Sequence, residues 1–176
     1  EGEVEPGGAG VEPERLAADG VGHHPAGREG GCRSGHETTI TGYMTSTTVR
    51  HVNPDGMHRS PAFSQAVVVE SPTRTIYVGG QNGVDAEGKV VGETLLEQSR
   101  QMYANLIKVL AAEGATLKDV VHWRLAVEEG QPVEEGVAAF MEVWDQADPP
   151  PAITVYFVAS VGVPGALVEL DAIAVV

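Results

Sequence analysis

Two stretches of this chain carry a helical period, and its other periodic runs repeat at two residues. That contrast limits the fold before any motif is read. Residues 94–113 place Leu95, Met102, Leu106, Val109 and Leu110 on one stripe, with Glu97, Arg100, Gln101 and Lys108 mostly off it. Gly114 then supplies a stop. A second helix is predicted over 132–146, with Val137, Phe140, Met141 and Trp144 on its apolar side and Asp148-Pro149-Pro150-Pro151 to end it. The strand candidates are 49–52, 65–70, 75–78, 119–127, 153–158 and 167–175. Within 119–127, Val121, Trp123, Leu125 and Val127 face one way, and Val120, His122, Arg124 and Ala126 the other.

The order β-β-β-α-β-α-β-β predicts an α+β domain: a single mixed β-sheet with two helices on one face. Ser71-Pro72-Thr73-Arg74, lying between two β-branched runs, reads as the turn of a hairpin. Two helices cover only one face of such a sheet. The other face is expected to carry Val, Ile and Tyr side chains, and an exposed apolar face of that size is normally an interaction surface. Oligomerisation follows from pattern alone; the number of subunits does not.

A chain of 176 residues with 42% hydrophobic content suffices for one ordinary core. Residues 1–43 stand apart from it, because Gly, Pro, Glu and His dominate there and apolar residues show no period. Such a stretch buries too little to offset the entropy of ordering it. It is expected to be a disordered or poorly structured N-terminal extension, with the folded domain at 44–176. The formal charge of −14 would repel a phosphate backbone, so nucleic acid is not an expected partner. The single cysteine, Cys32, excludes an intrachain disulfide framework and fits a reducing compartment. No apolar run approaches the roughly 20 residues that span a bilayer, and the opening residues lack a secretory pattern. The expectation is a cytoplasmic protein with no membrane partner.

Six short words stand in order along the chain. They are Ser60-Pro61-Ala62-Phe63-Ser64-Gln65, Tyr77-Val78-Gly79-Gly80-Gln81, Gln98-Ser99-Arg100-Gln101 through Asn105-Leu106, Asp119-Val120-Val121, Pro151-Ala152, and Val168-Glu169-Leu170-Asp171-Ala172-Ile173-Ala174. None is specific alone. Together, at compatible spacings, they resemble the reactive-intermediate deaminase (RidA, YjgF-type) family over residues 47–176. The resemblance implies a chorismate-mutase-like fold assembled as a homotrimer. Three sheets would surround a central barrel, with a small-molecule ligand in each cleft between neighbouring subunits. It also implies hydrolysis of enamines and imines to a carbonyl compound and ammonia, with no metal or organic cofactor.

Carried over by position, the family's cleft aromatic falls on Phe63 and its backbone N–H donor on Gly80, followed by Gln81. The glutamate that positions the attacking water falls on Glu169. The family's arginine, which holds the substrate carboxylate, falls on Ile153; its cysteine falls on Val155, and the asparagine of the second helix near Gly136 or Val137. No basic residue follows Arg124, so a small slip in alignment cannot restore the guanidinium. Arg124 itself is the remaining candidate for the cleft, against the alternative of a surface ion pair.

A guanidinium holds a carboxylate bidentately. Each hydrogen bond to a charged group contributes about 1.5–3 kcal/mol, so Ile153 implies weak activity on small 2-imino acids. Ile153 and Val155 should share one side of their strand and form an apolar corner that suits a neutral ligand or an aliphatic arm. Two functions stay open: a small hydrolase using Glu169 and Gly80, or a non-catalytic trimer binding a metabolite as sensor or scavenger. Ribonuclease activity, attached to some relatives, is disfavoured by the charge. His23, His24, Cys32 and His36 match no closed metal site. The run 79–83 is a turn and not a phosphate loop, because it lacks the Gly-Lys-Ser/Thr ending and opens no helix. His122 reads as a packed or interface histidine, Trp123 and Trp144 as core or interface anchors, and Glu169, between Val168 and Leu170, as a carboxylate needing a partner or a function.

Overall fold

The computed structural model describes residues 46–176. The predicted extension at 1–43, with His23, His24, Cys32 and His36, lies outside the described residues. The elements follow the expected order: β1 (Thr48–Val52), β2 (Ala66–Glu70), β3 (Thr75–Asn82), α1 (Leu95–Ala112), β4 (Val120–Glu128), α2 (Val133–Val143), β5 (Ala152–Val158) and β6 (Val168–Val175). A 3₁₀ turn, Leu117–Asp119, leads into β4. Among the described residues no helix is long and apolar enough to cross a membrane.

The strands pair differently from the expected single sheet. Four form a mixed sheet in the order β3-β6-β4-β5, with β4 and β5 parallel, while β1 and β2 pair only with each other. The anticipated β2–β3 hairpin is therefore absent, and the connector explains why. Thr73 N–H donates to Thr47 Oγ1 at 3.0 Å, whereas Arg74 exchanges backbone hydrogen bonds of 2.9 and 3.0 Å with Val176. One end of the link is tied to the β1–β2 ribbon and the other to the edge of the large sheet. Pro72, with no N–H to give, cannot extend a ladder across it.

Both helices lie on one face of the large sheet. Helix α1 opens on a capping box: Thr94 N–H donates to Glu97 Oε2 and Glu97 N–H donates to Thr94 Oγ1, both at 3.2 Å. It ends as predicted before Gly114, whose φ of 69° suits glycine. Helix α2 ends three residues earlier than its apolar stripe suggested. Asp145 closes it, with its side chain accepting from Ala147 N–H at 3.0 Å and its carbonyl from Asp148 N–H at 2.9 Å. The core between sheet and helices centres on Trp123, fully buried, with Phe140 edge-on at 5.6 Å and Tyr103 and Trp144 at 5.8 Å between ring centroids. Val120 was expected on the opposite side of β4 from Trp123. It joins this core because an extra residue between Val120 and His122 shifts the register against β6.

Candidate functional site

The covered face of the sheet contains an apolar chamber of about 250 Å³. Trp123, Leu125 and Val127 of β4 and Ile153, Val155 and Phe157 of β5 form its floor. These strands pair Trp123 with Ile153 and Leu125 with Val155, so alternation sets all six side chains on one side. Val133, Gly136, Val137 and Phe140 of α2 form the roof, and Leu95, Ser99 and Tyr103 of α1 the back wall. Val137, expected on the buried stripe of α2, is 44% exposed and stands at the mouth. Of the lining side chains only Ser99, Tyr103 and Trp123 carry polar atoms. Burial pushes the Tyr103 phenol well above its ordinary value, which keeps it neutral. The Trp123 indole Nε1–H is buried without a hydrogen-bond partner, an omission that costs about 1–3 kcal/mol unless something fills it.

Phe63 reaches this chamber because its segment is stapled to the start of β5. Ser64 N–H donates to Pro151 O at 2.9 Å and Ser64 Oγ–H to Pro150 O at 2.6 Å, with His51 Nδ1 2.9 Å from the same Pro150 oxygen. Two residues after Phe63, Gln65 N–H donates to Asn53 Oδ1 at 3.0 Å. The sequence words around Phe63 and Pro151 are thus one structural joint. Phe63, Ile153, Val155, Gly136 and Val137 all line this one chamber.

Gly80 and Glu169 also come together, but elsewhere. A bulge in β3 between Val78 and Gln81 carries Gly79 and Gly80. The Glu169 carboxylate lies so close over Gly80 that a Cβ there would collide with Oε1. Asn82 Nδ2 reaches Glu169 Oε2 at 3.4 Å and Val168 O at 2.9 Å, giving the carboxylate its neighbour. Gln81 spends its side-chain amide on Gly79 O and Gly80 O, at 3.0 and 3.3 Å, and so braces the bulge.

Register places this second group on the open face of the sheet. Glu169 lies opposite Ala126, Asp171 opposite Arg124, and Tyr156 opposite Ala126. These alternate with the chamber-lining residues on every strand. Arg124 therefore does not reach Ile153 and Val155 within one chain. Its Nε donates to Asp171 Oδ1 and Oδ2 at 2.9 and 3.1 Å, and the pair is exposed. The hydrogen bond to Asp171 raises the guanidinium's pKa further above its ordinary value. The open face also differs in character from the expected Val, Ile and Tyr surface. Tyr77, Tyr156 and Ile173 are there, but Arg124, Asp171 and Glu169 stand among them. Val127 of β4 and Val155 of β5 went to the chamber instead.

Sequence reasoning missed Leu125, Val127 and Phe140 as chamber walls, because an apolar position on a strand or helix looks the same whether it meets a neighbour or a void. Asp171 had a usable signal: it stands two residues after Glu169 on one strand and so shares its face.

A four-stranded mixed sheet with two helices on one face defines the chorismate-mutase-like α+β class, and comparison with known proteins narrows it. The sequence profile of the family described as Endoribonuclease L-PSP matches residues 57–176. The chain belongs to this family, the Rid/YjgF group of proteins. The crystal structure of YyfB, a Rid-family protein of unknown function from Yersinia pestis, matches with a TM-score of 0.65 and 33% identity, covering 73% of this chain and 98% of that one. RidA from an Antarctic Psychrobacter species matches with a TM-score of 0.53 and 26% identity, over 72% of this chain and 99% of its own. The 2-iminobutanoate/2-iminopropanoate deaminase of Capra hircus is 40% identical over 60 residues, 34% of this chain. The chain spans less than half the length of the curated relatives it matches, 42% in each case.

Proposed function

We propose that this protein is a homotrimer that handles small reactive metabolites in crevices between neighbouring copies, hydrolysing imines or enamines to carbonyl compounds and ammonia. One observation carries the reading. The residues that match the family's site divide into two groups on opposite faces of one sheet, Phe63, Ile153 and Val155 against Gly80 and Glu169. Within a chain they cannot meet; a second copy that lays its open face near the chamber mouth unites them. The bulge residue Gly80 offers a backbone N–H to the substrate, and Glu169 takes a proton from water as the water oxygen attacks the imine carbon. The imine nitrogen gains a proton, the resulting carbinolamine collapses, and ammonia leaves with a C=O bond in place of C=N.

With Ile153 where the family has its arginine, small 2-imino acids are poor substrates. The name of the Capra hircus relative supports the reaction class, not the substrate. The family description names a ribonuclease, which the charge of −14 disfavours, and Arg124 on the open face is already paired with Asp171. A second reading, a non-catalytic binder, is favoured by the chamber's lack of any side chain that titrates near neutrality. The test generates imines in situ, with and without a carboxylate, and follows ammonia release. Acceleration that falls about a hundredfold in Glu169→Gln is expected. If no imine reacts faster than in buffer, the hydrolase reading is wrong and the binder stands.

A further inference from the structure

The roof of the chamber lacks a side chain where a helix would ordinarily supply one, at Gly136. We propose that Gly136 is a specificity-determining residue: it keeps the space beneath α2 clear for a ring-sized apolar group carried by the imine or enamine. This rests on the crevice described above and deepens it.

Gly136 lies inside α2, between Glu135 and Val137. Apart from proline, glycine is the residue that most weakens a helix interior, so its presence there calls for a reason. The backbone supplies none, because its φ is not in the left-handed region. Packing supplies none either. A Cβ at this position would meet one side chain, Leu95, with its Cδ2 at 3.7 Å, an ordinary van der Waals contact. Gly83 is the contrary case, where a Cβ would strike the backbone of Gln98.

The space left empty belongs to the chamber. Gly136 stands one turn before Phe140, which is buried and lines the chamber, and Val133 and Val137 beside it line the chamber too. Leu95, the single neighbour of the absent Cβ, is part of the back wall. A side chain at 136 would therefore grow into the room a ligand uses, between roof and wall. Volume gives the size class. An apolar cavity of about 150 Å³ holds benzene, and this chamber, at about 250 Å³, has room for a ring with a short substituent. Each carbon added at 136 is taken from that room.

Calorimetry on the full-length chain tests this with acetophenone, the ketone that hydrolysis of its own imine would release. The wild type should bind it measurably. Gly136→Ala should weaken binding about fivefold, and Gly136→Leu should abolish it. Both variants should melt at the wild-type temperature or a few degrees above it, since alanine and leucine are better helix formers than glycine. A glycine kept only for packing would do the opposite, with a lower melt and binding retained by the folded fraction. Val155→Trp, which plugs the half-exposed mouth, should also abolish binding and so locate the probe in the chamber. Binding that is unchanged by Gly136→Leu or by Val155→Trp overturns the proposal, as does a lowered melt in Gly136→Ala or no binding to the wild type. Binding that follows the expected order without any imine hydrolysis refutes the hydrolase alone. Glu169-dependent hydrolysis whose ratio of aromatic to small aliphatic imines is unmoved by Gly136→Leu refutes the size filter alone.

Discussion

Gly80 and Gly83 are near neighbours in sequence with different obligations. A methyl group on Gly80 would meet the end of the Glu169 side chain, which can swing aside; on Gly83 it would meet the backbone of Gln98 in α1, which cannot. Gly80→Ala should therefore leave the melting transition near wild type while lowering imine hydrolysis about a hundredfold, and should add little to Glu169→Gln in a double-mutant cycle. Gly83→Ala should do the reverse, destabilising the fold by about 1–3 kcal/mol in denaturant titration through overpacking. The pairing of Gly80 with Glu169 was legible because two local words resembled a family pattern. The duty of Gly83 was not, since it depends on a helix packed by tertiary structure against the end of β3. Arg124 shows the same division: alternation gave its side of the strand, but its partner Asp171 lies 47 positions on.

Elements were legible where their signals were local. The stripe of α1 and its Gly114 stop lie within one segment. The two-residue period failed at Val120 and at the β2–β3 link, where a bulge and a change of sheet override alternation. The α1 cap also makes a pH prediction. Glu97 is held below the usual carboxylate range by the N–H groups of Glu93 and Thr94, then by the Thr94 hydroxyl, and Glu142 by its hydrogen bond to Arg100. A lowered folded-state pKa means the contribution is present above the ordinary carboxylate range and is lost as pH falls through the lowered value. Denaturant midpoints of wild type and Glu97→Gln should differ at neutral pH and converge in acid.

At the scale of the whole molecule, the open face of the sheet matters most. The sequence pointed to an uncovered sheet face, and the structure gives that face Tyr77, 78% exposed, beside the Arg124–Asp171 pair. If each crevice takes its chamber from one copy and its Glu169 from the next, two differently damaged chains can repair one another. Coexpression of Glu169→Gln with Val155→Trp should give mixed assemblies with about a quarter of wild-type hydrolysis by random mixing around a closed ring, while each variant alone stays near baseline. Activity that appears only as the sum of the separate variants would place the whole site within one chain.

If crevices form between copies, the separation of Ile153 from Glu169 across the thickness of the sheet would make output a matter of abundance. A lone chain would own half of two different crevices and a complete one of neither. Below the concentration at which copies find each other, halving the amount of protein would cut the work done by more than half.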